Sequence, residues 1–137
     1  MGVCDMIKKI AHIGIAVKNL KECLKMYENA LGLINTGITE LKNQHLRTAF
    51  LPVGETTIEL MEATRSDSVI ARFIEKRGEG IHHIAFQVDN LDETLRKAKK
   101  AGMQPVGEPV ASLHDSRVVF LHPKTTSGVL IELVSNI

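Results

Sequence analysis

An internal repeat constrains this chain more than any other feature of its sequence. Residues 12–22 read HIGIAVKNLKE and residues 83–93 read HIAFQVDNLDE, an offset of 71 positions. RTAFL at 47–51 returns as RVVFL at 117–121, an offset of 70, and IEL at 58–60 returns at 131–133, an offset of 73. The segments keep their order in both halves, and the drift in offset falls between them, where loops absorb insertions. The chain therefore has to build one supersecondary unit twice.

Periodicity defines that unit. Residues 10–17 alternate as a strand. Asn19 can cap a helix carrying Leu20, Cys23, Leu24, Tyr27 and Leu31 on one face, with Gly32 as its stop. Residues 33–39 predict a short strand, and residues 44–52 and 56–62 a strand pair turned around Gly54. In the second half, residues 81–88 form a strand. Asp89 or Asn90 then caps a helix with Leu91, Leu95 and Ala98 inward, ended by Gly102. A short strand over 103–106 comes next, and then a closing pair over 116–122 and 128–134. Val69, Ile70, Phe73 and Ile74 make a helical stripe, which predicts a linker helix over 66–78. The fold class is α+β, two tandem βαβββ modules forming one mixed-sheet cleft. The modules span about 7–63 and 80–135 within a single domain of 137 residues.

Alternation along the strands sorts the polar residues by face. Ala11, Ile13, Ile15 and Val17 share the face toward the helix, and His12 points the other way with Gly14 and Ala16. Ile58 and Leu60 face the helices, and Glu59 opposes them with Thr57 and Met61. The second half copies this: Ile84, Phe86 and Val88 go in, against His83, Ala85 and Gln87. Ile131 and Leu133 go in, against Glu132, Leu130 and Val134. Each repeat thus offers one His and one Glu from the face its helix leaves uncovered. Two such sheets set side by side would bring all four onto one divalent metal, for which imidazole and carboxylate are good ligands. A carboxylate turned twice toward a buried cleft is costly without a cation. The donors suit Zn²⁺, Co²⁺, Ni²⁺ and Mn²⁺ alike.

Composition narrows the remaining functions. A net charge of +1, with no basic stripe interleaved with aromatics, speaks against nucleic acid as a partner. No apolar run reaches the ~20 residues of a membrane span. Residues 1–6 carry no signal-peptide h-region, and Met6 stands where a myristoylation site needs Ser or Thr. Cys4 and Cys23 make no disulfide framework, and Cys23 lies on a helix's apolar stripe. A reducing cytoplasmic compartment fits. His45 and His114, without counterparts in the repeat, read as surface, as do Lys97, Lys99 and Lys100. Arg72, Lys76 and Arg77 read as a solvated helix face, with coenzyme A phosphates as their other reading.

The runs HIGIAV, GIHHIAF, FLHPK and GVLIELV together resemble the vicinal oxygen chelate (glyoxalase-like) superfamily, and more narrowly its methylmalonyl-CoA epimerases, over nearly the whole chain. The resemblance implies paired βαβββ modules, often in a homodimer, with metal ligands matching His12, Glu59, His83 and Glu132. In GIHHIAF it selects His83 over His82, in agreement with strand alternation. It implies an acyl-CoA substrate whose C2 proton, α to a thioester, is removed and returned on the opposite face. A metal would stabilise the charge that develops on the thioester oxygen. Glu132 and Glu59 are the candidate acid–base pair, since Thr48 stands where some of these epimerases carry a glutamate. Gln44 is an alternative proton relay. Thr48, His122 and Lys124 are candidate substrate contacts; His122 and Lys124 read equally as turn residues. The competing functions are a glyoxalase I-type lyase or isomerase, a longer iron-dependent ring-cleaving dioxygenase, and a non-catalytic small-molecule-binding resistance protein.

Overall fold

Each half folds as the same succession of elements, in a computed structural model that describes residues 7–112 and 115–136. The first comprises β1 (Ile7–Ala16), α1 (Leu20–Asn29), β2 (Ile38–Leu41), β3 (Leu46–Val53) and β4 (Thr56–Ala63). A helix between the repeats, α2, spans Val69–Arg77. The second half comprises β5 (Gly80–Val88), α3 (Leu91–Lys100), β6 (Pro105–Ser112), β7 (Ser116–Leu121) and β8 (Ile131–Asn136). Both are βαβββ units, as the repeat predicts. Cys4, the amino-terminal motifs and His114 lie outside the described residues. Among the described residues no helix is long and apolar enough to cross a membrane.

The chain divides into two compact units. One is His12–His82; the other joins the first residues of β1, through Ala11, to the second half from His83 onward. In the first, the strands run β2-β3-β4-β1, with β1 parallel to β4 and the other neighbours antiparallel. In the second, they run β5-β8-β7-β6, with β5 parallel to β8 and antiparallel pairs beyond.

The two helices start identically. Asn19 and Asn90 adopt extended backbone and accept hydrogen bonds from Glu22 N and Glu93 N, each at 3.0 Å. Each cap satisfies an amide that the helix cannot reach. The cores match residue by residue. Val17, Leu20, Leu24, Ala49, Leu51 and Leu60 pack together in the first repeat. Val88, Leu91, Leu95, Val119, Leu121 and Leu133 do so in the second, at the offsets of the sequence repeat. Helix α2 adds a third cluster, laying Ile70 on Ala16, Leu46 and Met61, which belong to the opposite face of β1, β3 and β4.

Several boundaries differ from the sequence reading. Helix α1 ends at Asn29, so Leu31 falls past it and is 67% exposed. Gly32 takes a positive φ of 71° and turns the chain away, its N–H bonded to Glu28 O. Strand β1 starts earlier, at Ile7, and β2 later, at Ile38. Strand β6 runs to Ser112 rather than stopping at Val106, and β8 starts only at Ile131. In α2, Val69 occupies the first helical position and is exposed, leaving the stripe to Ile70, Phe73 and Ile74. His45 is half-buried rather than on the surface. It closes a 3-10 turn with a positive φ, and its carbonyl accepts from Thr64 N.

Candidate metal-binding half-sites

Each repeat assembles its own histidine–glutamate pair on the sheet face opposite its helix. In the first, β1 and β4 run in parallel register with Gly14 beside Glu59 and Ala16 beside Met61. His12, two residues before Gly14, projects from the same face. Its Nε2 lies 3.8 Å from Glu59 Oε2. In the second, Ala85 sits beside Glu132, and His83 is again two residues earlier. His83 Nε2 lies 3.6 Å from Glu132 Oε1. Glycine and alanine are small enough to leave the carboxylate room beside the backbone of the neighbouring strand.

The two pairs differ in burial. His12 and Glu59 side chains keep 20% and 16% of their exposure, His83 and Glu132 only 5% and 10%. In neither pair is the nitrogen-to-oxygen distance short enough for a direct hydrogen bond. It is close to the spacing of two ligands of one ion. Donors ~2.1 Å from a metal stand about 3.0–3.4 Å apart at octahedral or tetrahedral angles. A side-chain adjustment of a few tenths of an ångström closes the difference, so imidazole and carboxylate in each half fit a divalent cation.

The strands behind the glutamates supply a feature that the sequence reading did not extract. Phe50 on β3 is the ladder partner of Glu59, and Phe120 on β7 is the ladder partner of Glu132. The signal was present in RTAFL and RVVFL, whose shared phenylalanine occupies one register position in both repeats. The Phe120 ring meets His83 edge-on, with ring centres 5.6 Å apart.

The other candidates are placed variously. Thr48 is fully buried two residues before Phe50, on the same face, its hydroxyl donating to Thr39 O at 3.4 Å. Gln44 is exposed in the 3-10 turn Lys42–Gln44, and the strand from Leu46 to Phe50 alone separates it from Glu59's neighbour by about 13 Å. It is not brought to the pair. His122 is exposed, and its Nδ1 accepts from Lys124 N at 3.1 Å, capping the turn Pro123–Thr125. Lys124 is exposed on that turn. His82 packs edge-on against Phe73 of α2 at 5.0 Å. Arg72, Lys76 and Arg77 are exposed along α2, with the Arg77 guanidinium 5.9 Å from the Phe73 ring centre. Cys23 is buried and free, its thiol pushed up by burial and then by the charge of Glu79.

Comparison with known proteins agrees with this architecture. Residues 11–120 match the model of the Glyoxalase/Bleomycin resistance protein/Dioxygenase superfamily. The methylmalonyl-CoA epimerase of Mycobacterium tuberculosis superposes with a TM-score of 0.90 at 36% identity, over 100% of this chain and 93% of that one. A variant of the Streptomyces coelicolor methylmalonyl-CoA epimerase, in complex with 2-nitronate-propionyl-CoA, gives 0.87 at 34% identity, over 95% of each chain. The uncharacterised protein YqjC of Bacillus subtilis is 35% identical over 128 residues, 93% of this chain and 91% of its own. The chain thus belongs to the Glyoxalase/Bleomycin resistance protein/Dioxygenase superfamily and closely resembles methylmalonyl-CoA epimerases.

Proposed function

We propose that the chain is a methylmalonyl-CoA epimerase in which His12, Glu59, His83 and Glu132 share one divalent cation. The observation that carries this reading is the recurrence of a His–Glu pair at one register in both repeats, at 3.8 Å and 3.6 Å. The donor chemistry supports it: His12, His83 and Glu132 each offer a ligand atom of the kind such a cation takes. So does the likeness to epimerases, one of them bound to an acyl-CoA analogue. Ligation by all four residues would make the repeats halves of one domain.

A divalent cation held by these residues would supply Lewis-acid stabilisation for the negative charge that develops on the thioester as C2 loses its proton. Glu132, loosened from the cation while it acts, takes the proton at a carboxylate oxygen on one face of C2; Glu59, likewise loosened and already protonated at its carboxylate, returns one on the other. Thr48 shares the face of Glu59, fully buried, with its hydroxyl donated to Thr39 O. Phe50 and Phe120 stand beside the carboxylates on the neighbouring strands. Gln44 has no part in this scheme, and Lys124 remains a candidate contact for the acyl-CoA. The reading places the protein in the cytoplasm as a homodimer, the latter testable by sedimentation equilibrium.

The deciding experiment is solvent deuterium uptake at C2 of methylmalonyl-CoA, with chelator and with added Co²⁺. Metal-dependent uptake accompanied by inversion at C2 is the expected result. Metal binding at these residues without any exchange would overturn the epimerase reading in favour of glyoxalase-type chemistry on a glutathione hemithioacetal, or of binding without turnover.

A further inference from the structure

We propose that Phe120 is a positioning residue for His83 and Glu132; the inference rests on the metal reading above for its functional consequence but not for its structural one. Phe120 neighbours both members of the pair, one through its ring and the other through strand register. It is the ladder partner of Glu132 across β7 and β8. Its ring stands at 81° to the His83 imidazole, with centres 5.6 Å apart. This is the edge-to-face geometry that aromatic rings prefer.

An imidazole on a strand has two torsions to fix before its Nε2 is aimed. The first is constrained by the strand and by burial, since His83 is 4% exposed. The second is a broad, nearly two-fold torsion that needs an external contact to settle it. The Phe120 ring supplies such a contact, edge-on to the imidazole. Because it also lies directly across from Glu132, one side chain sets both the imidazole plane and the wall behind the carboxylate. Ligand orientation of this kind tunes metal affinity by roughly tenfold to a hundredfold when its support is removed.

The test compares Phe120→Leu, Phe120→Tyr and, as a control, Phe86→Leu, which thins the core beneath α3 on the other face of the sheet. In the metal-free protein, His83 ring-proton signals are assigned by their absence from His83→Gln. Phe120→Leu should shift and broaden them, and Phe120→Tyr should restore them. Phe86→Leu should lower the melting temperature and leave them in place. With Co²⁺, Phe120→Leu should weaken binding about tenfold and alter the visible spectrum. It should also lower kcat more than KM, and Phe120→Tyr should reverse each change. Unchanged His83 signals in Phe120→Leu, or the same disturbance in Phe86→Leu, would overturn the proposal. If the unsubstituted protein takes up no Co²⁺, the metal reading fails, while the metal-free spectra still decide whether Phe120 orients His83.

Discussion

Glu62 on β4 accepts a hydrogen bond at 2.9 Å from the backbone N–H of Leu20, the first residue of α1. Its other carboxylate oxygen takes the Arg47 guanidinium at 2.8 Å. The helix is therefore closed at its amino end twice, by Asn19 from within and by a carboxylate 42 residues away. A negative charge at this end also suits the helix dipole.

Replacing Glu62 by Ala should lower unfolding free energy by about 1–2 kcal/mol, and Asn19→Ala by about 1 kcal/mol. Urea denaturation reads both. Each should leave Co²⁺ affinity unchanged, because neither residue shares the face of His12 and Glu59. An unaltered urea midpoint in Glu62→Ala would show that water replaces the carboxylate at no cost.

The two glutamates should separate in isotope experiments. Glu132→Gln and Glu59→Gln are each expected to cut inversion at C2 by about a hundredfold or more, the usual contribution of a positioned acid or base. Each variant should still exchange the proton of one epimer with solvent, and the preferred epimer should differ between the two. A Glu59→Gln protein that binds metal and inverts C2 at full rate would remove Glu59 from the acid–base pair.

Metal binding should appear as stability. A ligand that binds only the folded state at a hundred times its dissociation constant adds about 2.7 kcal/mol. Thermal melts with and without Co²⁺ should therefore differ by several degrees, and a chelator should reverse the gain. His83→Gln keeps the packing volume and should abolish the gain, because an amide is a poorer ligand than imidazole. A metal-dependent rise that survives in both His12→Gln and His83→Gln would place the cation elsewhere.

Cys23 should behave as a shielded thiol. Burial first, and then the nearby Glu79 charge, raise its pKa above the ordinary 9.0. The folded state thus disfavours the thiolate, and the stability this represents is present below pH 9.0 and lost as pH climbs past it. In a Cys4→Ser protein a disulfide reagent at pH 8 should react slowly until urea is added, and Cys23→Ala should flatten the alkaline fall in melting temperature. Rapid labelling of the native protein would contradict the burial.

The repeat made much of this legible from the amino acids alone. Strand alternation places His12 with Glu59 and His83 with Glu132 on the faces opposite each repeat's own helix, because a period of two assigns a face without knowledge of the neighbours. The asparagine caps were equally local. Misreadings arose where a non-local contact or a chain reversal decides the outcome. Leu31 continued an apolar period beyond the point where Gly32 turns the chain. Pro105, Gly107 and Pro109 masked β6, since prolines argue against a central strand but are tolerated at an edge. His122 reads in sequence as a site residue or a turn residue, and its ring nitrogen caps a turn. The Glu62 cap was invisible, for nothing in sequence links β4 to the start of α1.

The makeup of β6 affects how the protein behaves in crowded solution. It is the last strand of its run, paired with β7 on one side. Two of its residues, Pro105 and Pro109, have no amide hydrogen to offer, and its register shifts between Val106 and Val110. Such an edge is a poor template for a strand from another molecule. Exchanging Pro109 for a β-branched residue would restore an amide to a border that carries exposed Val106 and Val110. The native border instead discourages end-to-end polymerisation during synthesis and storage.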